Sequence, residues 1–493
     1  MSEHSRYSWS LTKNAFSKLR ISRNLSNCPK ILLSTLIAGL GLMVASPVAA
    51  QTFTTLCDFS EFGVVTFPAG GLILSGNTLY GTTAFGEYWG DGSVFSVNID
   101  GKDFATLYIF TAISYTYPST NSDGADPFCG LILSGGTFYG TTQIGGAFGN
   151  GTVFALNPGL QGFTNLYSFP TNAGDWALQP GPVAGLVLSG NTLYGTTVGG
   201  GDWDSGTVFA IQTDGKCYTN LYSFTGEGDG GEPMAGLILS GNTLYGTSSG
   251  DSSTTSGTVF SINTNGSNFT NLYSFTGESD GGEPMAGLIL SGNTLYGTTH
   301  DGGTSNFGTV FCVNTNGSNF TSLHSFAGSD GWGPAAGLIL SGNTLFGTTE
   351  HNGNGNPGPG TIFAVNINGA NFMTLHTFAG FPNDGAFPQA GLILSGNTLY
   401  GTTSEGGSLD TGTIFSLSLP ASLLPPPQLA ITIAGTNVIL TWPTNAAGFT
   451  LESTTNLLPA AWSTNLPAPV VINGQNTVTN PVSGTHRFYQ LIQ

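Results

Sequence analysis

The thirteen residues Gly287-Leu288-Ile289-Leu290-Ser291-Gly292-Asn293-Thr294-Leu295-Tyr296-Gly297-Thr298-Thr299 decide the fold, because the chain writes them seven times with small variations. The copies start at Gly71, Gly130, Gly185, Gly236, Gly287, Gly337 and Gly391, at intervals of 59, 55, 51, 51, 50 and 54 residues. A period near fifty with no 3.6-residue hydrophobic pattern inside it points to a propeller blade or another β array rather than a helical repeat. In the copy at Gly236, four short apolar runs are separated by turn residues. Run A is 236–239, run B 243–247, run C 257–263 and run D 269–275, with Ser240-Gly241-Asn242 and Thr264-Asn265-Gly266 between A and B and between C and D. Runs of this length, rich in Val, Ile, Phe, Tyr and Thr, read as the strands of a small antiparallel meander. Neither face of run C is charged: Val259 and Ser261 alternate with Phe260 and Ile262. Both faces of such a sheet can therefore pack against neighbouring sheets.

The ends of the array fix its topology. The last copy has runs A to C (391–417) and then meets Leu423-Leu424-Pro425-Pro426-Pro427, so it lacks run D. At the other end, Phe53-Thr54-Thr55-Leu56-Cys57-Asp58-Phe59 matches run D of the Gly236 copy and precedes the first run A. The expected fold is all-β, a seven-bladed β-propeller of four-stranded antiparallel blades closed by the N-terminal strand. An open array would leave exposed sheet edges, which closure removes.

Composition sets further limits. Only 7% of residues are charged, against roughly 25% in an ordinary soluble domain, and glycine contributes 75 residues. Six of the nine basic residues (Arg6, Lys13, Lys18, Arg20, Arg23 and Lys30) precede the apolar run 31–45, which leads into Ser46-Pro47-Val48-Ala49-Ala50. Residues 1–50 read as a signal peptide cut after Ala50, the alternative being an uncleaved anchor. The run of 15 residues is shorter than the about 20 needed to span a bilayer. Cleavage leaves Lys102, Lys216 and Arg487 against 26 acidic side chains, a net charge of −23. That sign repels phosphate backbones and anionic lipid, so the expected protein is secreted or on the cell surface, with no nucleic-acid partner and no membrane insertion after cleavage. Four cysteines remain, Cys57, Cys129, Cys217 and Cys312, whose spacing matches no metal or disulfide framework. They read as separate, partly buried small hydrophobes.

The pattern D-G-x-x-P-x-A-G-L-I-L-S-G-N-T-L-Y-G-T-T, followed by G-T-V-F-x-[IV]-N and an aromatic run D, resembles the GloVer-type (Gloeobacter and Verrucomicrobia) tandem repeat of "choice-of-anchor" surface proteins, over about residues 51–419. The resemblance implies an exported, surface-associated protein with no assigned activity. The strand order is also similar to Kelch-type blades, with Gly-Thr-Thr replacing the Gly-Gly that ends their second strand. A linker at 420–428 precedes a second module at 429–493, with runs at 430–433, 438–442, 449–453 and 470–472 and the ending His486-Arg487-Phe488-Tyr489-Gln490-Leu491. It reads as a small β-sandwich and resembles fibronectin type III-like modules. A sorting or attachment role and a passive cap both fit it.

In an A-B-C-D blade the A-B and C-D turns share one face, and the B-C and D-A loops share the other. The first face is uniform; the second varies. Tyr88, Trp89, Trp176, Trp203 and Trp332 all lie in loops of the variable face and are the candidate ligand-binding residues, with Tyr115 and Tyr117 beside them. Flat rings with polar neighbours suit an extracellular glycan or protein, and the plainer reading is that each ring packs onto its own blade. Asp-Gly recurs in the D-A loops at Asp123, Asp229, Asp280, Asp330 and Asp384. Such aspartates form turns. The competing reading is a ring of weak Ca²⁺ ligands, although calcium needs six to eight oxygens and each blade offers one carboxylate. No other cofactor is expected. His324 and His376 stand where other copies have Tyr222 and Tyr273, and no catalytic spacing of His, Ser or acidic residues is evident. The expectation is a monomeric, non-catalytic binding or surface-structural protein. A carbohydrate-active hydrolase or lyase and a purely architectural envelope component are the alternatives.

Overall fold

The computed structural model describes residues 51–492 apart from 62–64, 87–91, 115–118, 160–161, 171–180, 251–254, 354–357, 425–427, 444–448, 456–461, 465, 473–474 and 482–486. The signal-peptide segment 1–50 lies outside the described residues. No helix among those residues is long and apolar enough to cross a membrane.

The described residues are all-β, with two short 3-10 turns among them, and four-stranded antiparallel sheets follow one another in tandem, the arrangement of propeller blades. The Gly236 copy forms strands A Ile238–Ser240, B Thr243–Ser248, C Thr258–Asn263 and D Thr270–Ser274, within two residues of the bounds read from sequence. Strand pairing runs A-B-C-D, with a register shift between Val259 and Phe260 where C meets D. In the last copy, strand C Thr413–Ser418 pairs with Phe53–Asp58 from the start of the described chain. The same shift recurs at the equivalent place: Ile414 opposes Cys57 and Phe415 opposes Thr55, as Val259 opposes Tyr273 and Phe260 opposes Asn271. Phe53–Asp58 thus occupies the strand D place of that sheet.

Packing explains why the repeat is written so strictly. Leu244 of strand B and Phe260 of strand C are fully buried, and a Cβ on Gly246 would meet the Phe260 ring at 2.6 Å. Only glycine lets that ring lie across strand B. The apolar clusters form between sheets rather than within them: Tyr194, Val208 and Phe224 of one copy pack with Leu237, Leu244 and Phe260 of the next. A corresponding cluster brings Phe59, Tyr400 and Ile414 of the last sheet against Leu72, Leu79 and Phe95 of the first. Aromatic rings stack across the same boundaries, Tyr222 on Phe269 and Tyr273 on Phe320, each at 3.8 Å between centroids. His376 stacks on Phe53 at the same distance, so Phe53 also takes the ring position of Phe269.

The Gly-Thr-Thr signature divides its hydroxyls between two tasks. Thr247 donates to the Ala286 carbonyl of the next copy at 3.0 Å, as Thr196 does to Ala235 and Thr348 to Pro388. The second hydroxyl, Ser248 in this copy, pairs with Thr258 of strand C at 2.8 Å, fully buried. The first glycine of each copy leans on that of its predecessor: a Cβ on Gly236 would lie 3.0 Å from the Gly185 carbonyl oxygen.

Beyond Leu419 a 3-10 turn, Ala421–Leu423, starts the linker, and Leu423 and Leu424 pack onto the last repeat cluster. The C-terminal segment holds a four-stranded sheet in the order Ala430–Ala434, Asn437–Pro443, Gln475–Pro481, Val470–Ile472, and a two-stranded sheet of Thr450–Thr454 with Phe488–Ile492. Leu440, Trp442 and Val478 of the first sheet meet Leu451 of the second in one core. Strand Gln475–Pro481 was not expected from the sequence, since Val478 is its single large apolar residue.

Replacing Thr247 with Val keeps the shape and strands the Ala286 carbonyl. The variant is expected to lose about 1–3 kcal/mol in chemical denaturation, and an unchanged midpoint would remove this contact from the account.

Candidate functional site

Loops between B and C and between D and A meet on one face and are tied to each other locally. Trp332 and His351 exchange backbone hydrogen bonds at 2.8 and 2.9 Å, Gly282 and Asp301 do the same at 2.9 and 3.1 Å, and Gly385–Ala386 pairs with Glu405–Gly406. Of the five expected ligand-binding residues, Tyr88, Trp89 and Trp176 lie outside the described residues, as do Tyr115 and Tyr117. Trp203 is 66% exposed. Trp332 is half-buried, its ring 5.5 Å from Phe307 and 4.9 Å from His351 between centroids, and His351 in turn meets Phe387 at 5.2 Å. Three further exposed apolar side chains stand on loops of this face: Phe148, Phe381 and Leu409. Sequence inspection passed over them because it looked only for Trp and Tyr.

A pocket of ≈ 180 Å³ lies beside the loop that carries Trp203, between Tyr167, Pro170, Thr197, Gly200 and Tyr218. Small-molecule sites usually enclose about 300–1,000 Å³. This pocket is smaller than such a site.

The Asp-Gly aspartates are held inside their own loops. Asp229 accepts from the Tyr222 hydroxyl at 2.7 Å, from the Thr225 amide at 3.0 Å and from the Thr225 hydroxyl. Asp280 repeats this with Tyr273 and Thr276, and Asp123 with Tyr108 and Thr111. In the two copies with histidine, His324 meets Asp330 at 2.9 Å and His376 meets Asp384 at 3.0 Å. Burial together with the Asp280 contact pushes the Tyr273 hydroxyl up to about 12. Each carboxylate is thus spent on the ring and amide that shape its turn.

A different grouping was missed. His300 follows strand B of its copy with its Nδ1 2.8 Å from Asp301 Oδ1, and its Nε2 faces Glu350 Oε2 of the next copy at 3.6 Å. Gln389, one copy further, donates to Glu350 Oε1 at 2.6 Å. Burial disfavours charge on the ring, but hydrogen bonds to Asp301 and Glu350 outweigh it and raise His300 to about 9. Burial likewise works against the Glu350 charge, and His300 and Gln389 overcome it and lower its pKa. Glu283 completes the cluster: one ligand atom each from Glu283, His300 and Asp301 lie within 4.8 Å of one another. Gly333 makes room for the ring, since a Cβ there would stand 2.8 Å from His300 Nε2. The available signal was the residue after Gly-Thr-Thr, which runs Ala84, Gln143, Val198, Ser249, His300, Glu350 and Ser404 through otherwise uniform copies.

The cysteines make no disulfide among the described residues. Cys57 and Cys129 are buried and Cys312 half-buried, as expected of small hydrophobes; Cys217 is exposed and departs from that reading.

Tandem four-stranded sheets with one uniform and one variable loop face define a propeller-like repeat protein. The sequence profile of the Gloeobacter/Verrucomicrobia repeat matches residues 37–175, 177–358 and 250–425, and the chain belongs to that family. No curated protein matches the sequence. Among solved structures, the chain is similar to an oligogalacturonate lyase from Vibrio parahaemolyticus (11% identity, TM-score 0.47, covering 76% of this chain and 98% of that one). It is also similar to a GH74 xyloglucanase from Xanthomonas campestris (11% identity, TM-score 0.47, covering 80% and 59%). Likeness at this level carries no argument about activity.

Replacing Asp229 with Ala removes the acceptor for one hydroxyl of Tyr222 and for Thr225. The variant is expected to lose about 2 kcal/mol, equally with and without millimolar Ca²⁺. A melting temperature that rises with Ca²⁺ in the parent and not in the variant would make Asp229 a calcium ligand instead.

Proposed function

We propose that the chain is an exported, surface-associated, non-catalytic binding protein whose repeats close into a seven-bladed propeller, and that its B-C/D-A loop face contacts an extracellular glycan or protein. Closure is supported by the last sheet taking Phe53–Asp58 as strand D and by the cluster of Phe59, Tyr400 and Ile414 with Leu72, Leu79 and Phe95. The first glycines of the copies support it too, since a Cβ on Gly71 would have the Gly391 carbonyl oxygen as its neighbour at 3.9 Å. A C-terminal module of fibronectin type III-like form and a signal peptide at 1–50 complete the proposed organisation.

The observation that carries the binding reading is that, of the exposed large apolar side chains in the repeats, only Ile109, Leu133 and Met373 lie on strands while the other four stand in loops of one face. Phe148, Trp203, Phe381 and Leu409 all project from loops of the variable face. Burying large apolar groups is the strongest force a protein has, so leaving several uncovered on one face has a cost that a ligand recovers. Aromatic rings with Asp and Asn neighbours suit the apolar faces and hydroxyls of sugars, and equally a flat protein surface.

The test is a glycan array probed with the parent protein and with a variant carrying W203A, F148A and F381A. The parent is expected to retain at least one polysaccharide, and the triple variant to lose that signal at least about tenfold, the cost of about 1.4 kcal/mol. Equal retention by both proteins would contradict the proposed face.

A further inference from the structure

We propose that Glu283, His300 and Asp301 bind a divalent transition-metal ion on the variable face, with Glu350 and Gln389 positioning the imidazole. Three features carry the assignment. One is chemical: an imidazole nitrogen with two carboxylates is a mixed N/O donor set that suits Zn²⁺ or Mn²⁺, whereas Ca²⁺ prefers oxygen throughout. The three donor atoms lie within 4.8 Å of one another, and the 2.8 Å between Nδ1 and the Asp301 oxygen is a span two adjacent ligands of one ion can adopt. Glu350 lies 3.6 Å from the opposite ring nitrogen and is itself fixed by Gln389. A carboxylate behind the ring is what orients a metal-bound histidine and strengthens it as a donor.

The second feature is that Glu283 is free to move toward an ion. Its carboxylate has no hydrogen-bond partner among the described residues, while the backbone at φ 52° holds it beside His300, whose amide donates to the Glu283 carbonyl at 3.0 Å. The same left-handed residue before proline stands at Phe67, Asp126, Glu232 and Phe387, so this backbone belongs to the repeat. The Asp301 and Glu350 carboxylates on either side of the ring also favour a cation beside it.

The third feature is asymmetry. The copy one repeat earlier keeps the Asp229 turn and has Glu232 where Glu283 stands, yet Ser249-Gly250 replaces His300-Asp301. Repeat structure alone would have reproduced the cluster; among the described residues it occurs once.

Isothermal titration of the metal-stripped protein with Zn²⁺, Mn²⁺ and Ca²⁺ decides the matter, beside the variants E283Q, H300Q and E232Q. The parent is expected to bind a single equivalent of Zn²⁺ or Mn²⁺ more tightly than Ca²⁺, at least tenfold more weakly in E283Q and H300Q, and unchanged in E232Q. If H300Q does not fold, E283Q carries the test, because the Glu283 side chain holds nothing else in place. Absence of Zn²⁺ and Mn²⁺ binding in the parent, or binding that survives E283Q, overturns the assignment. The metal variants leave Phe148, Trp203 and Phe381 intact, so this result and the glycan result fail independently.

Discussion

Everything else in the molecule depends on one constraint: a four-stranded sheet of these residues has two apolar faces and almost no charge, so it cannot exist alone in water. Leu244 and Phe260 are fully buried only because adjoining copies cover them. Contacts between sheets therefore do the work that a single core does in an ordinary domain. The apolar cluster and the threonine hydroxyl that reaches a carbonyl of the neighbouring copy recur from boundary to boundary, and the ring stacked on a ring joins them except between the last sheet and the first, where Cys57 stands in place of the tyrosine. The strict Gly-Thr-Thr wording follows, because glycine admits the phenylalanine and the threonine ties the sheets.

A scaffold fixed this tightly by repetition leaves variation to the loops. The turn aspartates show how local order is kept there: each carboxylate organises a ring, an amide and a turn within a few residues. On that rigid base the loops differ in length and in exposed groups. Trp203, Phe148 and Phe381 project from them, while His300, Glu350 and Gln389 link three successive copies. An aromatic surface and an acidic, histidine-containing cluster thus sit on the face that differs from copy to copy.

The sequence made the sheets legible because hydrophobic alternation and turn residues repeat, and repetition suppresses local ambiguity. Strand D of the last sheet was legible for the same reason, since residues 53–59 match a pattern seen six times elsewhere. Strand Gln475–Pro481 was not, as it occurs once and carries a single large apolar residue. The His300 cluster was hidden differently. Glu283, His300, Glu350 and Gln389 are scattered over three copies, and only the stacking of sheets brings them together. Phe148 and Phe381 escaped notice because phenylalanine is common in every copy and nothing in the sequence marks these two as exposed.

The proposed ring stands or falls on the strand at the start of the described chain. Phe53, Leu56 and Phe59 pack on the last and first sheets, and removing them uncovers at least about 5 kcal/mol of apolar burial at about 1.5–3 kcal/mol per large side chain. The decisive measurement is thermal unfolding of residues 51–493 beside the same chain with residues 51–60 deleted. Closure through this strand predicts a melting temperature lower by about 5 °C, and an unchanged melting temperature would contradict it.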